Sequence, residues 1–172
     1  MKTLFKTISL FALLLPGLVF VSCKDDDDEK TSIVGTWVSE VLPVYMDASL
    51  QETEPDLEAI SYYWYKKDGS FIAVDVVTDT DTNNSEYYFS DTGKWSVNGD
   101  VVTQTTNYQW DDPTRFDTDV AQFRVNGNIL NFTVRMENGN VLSAQFTRIT
   151  EEKMQEAYDT AQKYYHKLYP NK

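Results

Sequence analysis

Short runs of alternating apolar and polar residues are separated, again and again, by an Asp-Gly or Asn-Gly pair. Asp68-Gly69, Asn98-Gly99, Asn126-Gly127 and Asn138-Gly139 are spaced so that each can end one strand and start the next. Asx-Gly is the pair that supplies positive φ in a tight hairpin loop, and it joins neighbouring strands antiparallel. Parallel strands need crossovers of a dozen residues or more, and no strand–helix–strand alternation is visible, so a parallel sheet is excluded. The punctuation predicts a meander of hairpins.

The strands read off accordingly. Residues 33–42 carry Gly35-Thr36-Trp37 in a β-branched run, and residues 60–66 are aromatic on both faces. Residues 71–77 complete a hairpin across Asp68-Gly69. Residues 86–97 read as one strand bent at 90–93. Residues 101–108, 119–125, 129–136 and 141–149 follow, giving eight strands. The alternation is clearest at Leu130, Phe132, Val134 and Met136. Residues 43–58 hold Pro43, Pro55 and several acids, and are expected to form a long loop or lid. Then the period changes. Met154, Ala157, Tyr158, Ala161, Tyr164, Tyr165 and Leu168 recur at helical spacing, Thr150 stands at the N-cap position, and Pro170 ends the run. Ile149 and Met154 occupy the two positions of a hydrophobic staple.

The first 22 residues are of a different kind. Lys2 and Lys6 precede an apolar run too short to span a membrane as a helix, broken by Pro16-Gly17 and ending at Ser22-Cys23. This resembles the lipobox of bacterial lipoproteins, in which the chain is cut before the cysteine and lipid is attached to it; Phe20 departs from the usual leucine. The resemblance implies lipidation at Cys23, the only cysteine, and a membrane partner through that anchor. Asp25 to Glu29 are five consecutive acids, which oppose compaction and bury nothing. They form a solvated spacer. They also resemble both an acidic epitope tag and the acidic export signal that some Gram-negative bacteria place behind the lipidated cysteine; the latter implies an outer-membrane location facing the cell surface. The expected organisation is a signal peptide over 1–22, lipidated cysteine and tether over 23–31, and one domain over 32–172.

That domain resembles the lipocalin-like domains of small bacterial lipoproteins. The resemblance rests on Gly35-Thr36-Trp37 in the first strand, Phe146-Thr147-Arg148 in the last, Tyr63-Trp64-Tyr65 with Asp68-Gly69, and Gly93-Lys94-Trp95-Ser96-Val97. It implies an eight-stranded antiparallel barrel with one C-terminal helix, Arg148 lying over Trp37 to close one end. The middle Thr-Asp-Tyr motif of true lipocalins is missing, so an eight-stranded sandwich with a covering helix is the alternative fold.

The resemblance implies non-catalytic binding of a small apolar ligand, with Tyr62, Trp64, Phe71, Trp95, Phe123 and Phe132 expected to line the cavity. The alternative is a surface interaction protein whose barrel is filled by its own side chains; 11 tyrosines, 9 phenylalanines and 4 tryptophans are enough to fill one. A formal charge of −12 argues against nucleic acid. One cysteine and one histidine leave no Cys/His zinc site and no disulfide framework. No phosphate loop or nucleophile elbow is present, and neither catalytic residues nor a cofactor are expected. Asp79, Asp81 and Asn83 begin like a calcium loop, but Asn84 stands at the glycine position and Ser90 where a bidentate Glu belongs. Asp75, an acid in an apolar strand, is expected to face solvent or pair with an arginine.

Overall fold

A computed structural model describes residues 32–47, 52–107, 116–135 and 139–170. The leader, Cys23 and the acidic run lie outside the described residues. The strands are β1 (Gly35–Ser39), β2 (Leu42–Asp47), β3 (Glu52–Tyr65), β4 (Ser70–Asp79), β5 (Asn84–Asn98), β6 (Val101–Thr106), β7 (Asp117–Asn126), β8 (Ile129–Arg135) and β9 (Val141–Arg148). A single helix, α1 (Glu151–Leu168), follows. Every pairing is antiparallel and joins chain neighbours, except that β1 pairs with both β9 and β3. That double pairing closes eight strands into a barrel; β2 is a ninth, paired with β3 alone. The architecture is an all-β lipocalin-like barrel with one C-terminal helix, and the sandwich alternative falls.

The Asx-Gly pairs at 68–69, 98–99 and 126–127 join neighbouring strands as expected, and Asn138 of the fourth lies outside the described residues. Gly99 and Gly127 have φ of 62° and 60°, a backbone region that glycine enters without the penalty a Cβ carries. One sequence expectation is corrected. Residues 43–58 are mostly strand, with β2 and the first half of β3 forming a hairpin. Proline and acids misdirect the reading because β2 is an edge strand with one side unpaired, where a missing N–H and solvated charges are tolerated.

Two hydrophobic clusters lie on opposite sides of the wall. Inside, Trp37, Tyr65, Phe71, Ala73, Val102, Leu130, Phe132 and Phe146 are buried together. Outside, Ile72, Val74 and Phe89 are buried against Met154 and Ala161 of α1. β4 is therefore apolar on both faces, which is why its residues run apolar almost without alternation. The helix is held as its sequence dictates. Thr150 accepts a hydrogen bond from the Lys153 amide, and Glu151 and Glu152 sit in the first turn with His166 and Lys167 in the last. Ile149 packs in the same cluster as Met154, as a staple requires.

Candidate functional site

Strand direction divides the barrel into two ends. The turns at 66–69, 99–100 and 127–128, the start of β1 and the start of α1 share one end; the last residues of β2, β4, β6 and β8 and the first of β3, β5, β7 and β9 share the other.

The first end is closed by a single arginine. Arg148 opposes Trp37 in the β1–β9 register, and its guanidinium carbon lies 4.2 Å from the Trp37 ring centroid. Its Nη1 donates to the Val34 carbonyl at 3.0 Å and its Nη2 to the Ser32 carbonyl at 3.3 Å. Trp37 Nε1 donates to the Ile33 carbonyl at 2.8 Å, so the fully buried indole leaves no polar atom unpaired. The Thr36 hydroxyl donates to the Ile149 carbonyl at 2.6 Å, tying this lid to the helix entry. The Trp37–Arg148 contact expected from the resemblance is present. Just outside it lies a shallow, open depression of about 440 Å³, lined by Asn128, Arg148, Ile149, Thr150 and Lys153.

Above the lid the interior is packed with rings. Tyr63 stacks on Phe146 at a centroid distance of 5.0 Å, Tyr65 lies 4.7 Å from Phe71, and Phe132 meets Phe146 edge-on at 5.3 Å. Trp95 stands edge-on to Tyr65 at 5.5 Å and donates through Nε1 to the Lys66 carbonyl. The Tyr65 hydroxyl donates to Gln104 Oε1 at 2.6 Å.

Four of the six expected lining residues, Phe71, Trp95, Phe123 and Phe132, belong to or pack against this inner cluster. Phe71, Trp95 and Phe132 make their ring contacts with Tyr63, Tyr65 and Phe146. Tyr62 and Trp64 are on the other side of the wall, beneath α1. Their neighbours Tyr63 and Tyr65 point inward. With rings at every position from 62 to 65, either register buries aromatic surface, and only the helix position decides which pair faces it.

Towards the far end, carboxyls join the inward positions. Asp75 on β4 opposes Ser61 on β3 and Tyr88 on β5, and is only 4% exposed. The expectation that it faces solvent fails: its strand parity, shared with Phe71 and Ala73, sends it inward. On the opposite wall Asp119 opposes Gln104, and Asp117 opposes Thr106. Burial, reinforced by the charges of Asp117 and Asp75, pushes the Asp119 carboxyl up to about 7, against a partly offsetting hydrogen bond with Gln104. Burial is also the main cause that raises the Tyr63 phenol, with Asp75 and Asp119 adding to it. Asp117 and Asp119 escape a sequence reading because they sit among 27 acids, and only the register shows that they share one interior with Asp75.

Among the described residues no group of three or more His, Cys, Asp or Glu side chains is arranged to hold a metal ion. Asp79 accepts hydrogen bonds from the backbone amides of Asp81 and Thr82, and so serves its own turn. No family model, curated protein or solved structure matches the chain.

Proposed function

We propose that this chain is a lipid-anchored lipoprotein of the Gram-negative cell envelope, displayed on the surface, that works as a non-catalytic interaction or accessory protein. The observation that carries the reading is the state of the barrel. Four of the rings expected to line a cavity belong to or pack against an inner aromatic cluster, and the carboxyls of Asp75 and Asp119 are turned into the same interior. A site for a small apolar ligand needs a largely apolar concavity of several hundred Å³. Burying Asp75 and Asp119 beneath an apolar guest adds desolvation cost without a compensating hydrogen bond. The short apolar leader ending at Cys23, and the acids behind it, support the anchor and its outward display.

Native mass spectrometry of protein purified from its own host tests the reading. The expected spectrum is that of the lipidated chain with no additional small molecule. A stoichiometric apolar ligand released on unfolding would overturn it and restore the binding-barrel function.

A further inference from the structure

Among the described residues, the barrel wall is incomplete on one side. β1 pairs with β9 only from Trp37–Arg148 to Ser39–Phe146, a contact that ends where the Glu40 amide donates to the Gln145 carbonyl at 3.0 Å. Beyond that point the chain turns into β2, which pairs with β3 and not with β9. The first half of β9 and the outer side of β2 are thus two strand edges bordering a slot that is pinned shut at Glu40–Gln145 and opens towards the far end. Because Gln145 aims its carbonyl at β1 and alternate residues point the same way, Ser143 and Val141 direct their N–H and C=O groups into the slot. Leu142 and Ala144 use theirs on β8, opposite Val134 and Phe132.

This edge lacks the usual protection. Natural edge strands are blunted by charges, prolines or bulges, since bare ones recruit other strands. Val141 to Gln145 contain no charge and no proline, and β9 pairs with β8 in unbroken register. Val141 is 45% exposed, and Val41, where the chain leaves β1, is 52% exposed. Glu40 stands exposed where the slot begins, and Glu58, also exposed, lies one strand behind it on β3, opposite Pro43. They belong to a chain whose formal charge is −12.

We propose that the slot accepts an extended segment of a partner protein as an added strand, antiparallel to β9. Main-chain hydrogen bonds to Val141 and Ser143 would hold it, with β-branched residues facing inward over Leu142 and Ala144 and a lysine or arginine facing outward on the side of Glu40. The negative field of the whole chain favours encounter with such a basic segment. The inference takes the interaction reading as its starting point and names the surface and partner chemistry.

The test uses full-length chain in detergent and a fluorescein-labelled hexapeptide alternating valine with lysine. Hydrogen exchange should show fast Val141 and Ser143 amides in the chain alone and slow ones with peptide. Ser143→Pro removes a slot-facing N–H without touching the β8 ladder, and should weaken peptide binding at least tenfold while the melting curve shows the barrel intact. Ser143→Thr should bind as the unaltered chain does, and replacing the peptide's lysines by glutamates should weaken it. Equal binding by Ser143→Pro, or no slowing at 141–145, overturns the proposal. Protection in the chain alone that grows with its concentration overturns it in favour of a second copy as occupant. A co-purified barrel ligand would defeat the interaction reading above, yet leave these exchange results to stand or fall alone.

Discussion

Arg148 fills the space that a side chain on Gly35 would need. A Cβ at residue 35 would lie 2.2 Å from Arg148 Nη1, and Gly35 adopts φ of 134°, a conformation L side chains rarely take. The glycine and the tryptophan two residues on are therefore one device: the first lets the guanidinium pass, the second receives it. Gly35→Ala should destabilise the barrel by about 2 kcal/mol or more through strain and displacement of the arginine. Urea denaturation with the mid-point and slope followed by tryptophan fluorescence checks this; a variant as stable as the parent would contradict it.

Trp37→Ala should cost about 3–5 kcal/mol, as truncation of a fully buried large aromatic does. Arg148→Met should also destabilise, since it leaves the Ser32 and Val34 carbonyls without their donors. The two losses should not add. A double-mutant cycle is expected to return a coupling of about 0.5–2 kcal/mol for the cation–π pair. Arg148→Lys should recover only part of the loss, because an ammonium cannot span both carbonyls and lie flat on the indole.

Asp119 gives the barrel a pH dependence of defined sign. Its carboxyl is raised to about 7 from an ordinary value of 3.8, so between those values the folded chain holds a proton that the unfolded chain has released. That contribution is fully present below about pH 4, declines as pH rises, and is lost above about 7. Asp119→Asn, which cannot ionise, should therefore be more stable than the parent at pH 8 by roughly 1–3 kcal/mol and close to it at pH 4. Thermal melts at both pH values decide it; a gain confined to low pH would reverse the assignment.

Met154→Ala should loosen the helix from the wall. Met154 is fully buried against the β4–β5 face, and its truncation should cost about 2–4 kcal/mol. Exchange rates along residues 151–168 should rise further than those of the barrel interior.

Cys23→Ala should release the chain from the membrane fraction without changing its fold. Membrane partition and mass spectrometry check it: an unlipidated Cys23 in membrane-bound parent protein would remove the anchor from the proposed function.

What the sequence discloses depends on how many faces of an element are buried. β8 buries one face and alternates cleanly, so its inward residues Leu130, Phe132 and Val134 are legible. β3 and β4 are covered inside by the ring cluster and outside by α1, so Tyr62 and Tyr63 look alike until the helix is placed. β2 is an edge strand with Pro43 exposed, and this proline and the neighbouring acids resemble a loop. The lid was readable because Gly35, Trp37 and Arg148 are unusual residues at fixed places. The slot was not, since a missing strand pairing leaves no residue to mark it.

The double pairing of β1 also has a mechanical meaning. The chain preceding Ser32 enters at the closed end, directly ahead of a strand hydrogen-bonded on both sides and locked by Arg148. Tension applied through that entry pulls along β1, so its bonds to β3 and β9 are loaded together in shear. They cannot be peeled apart one at a time from that direction. A domain pulled through Ser32 is thus gripped where strand pairing on both sides resists force in shear.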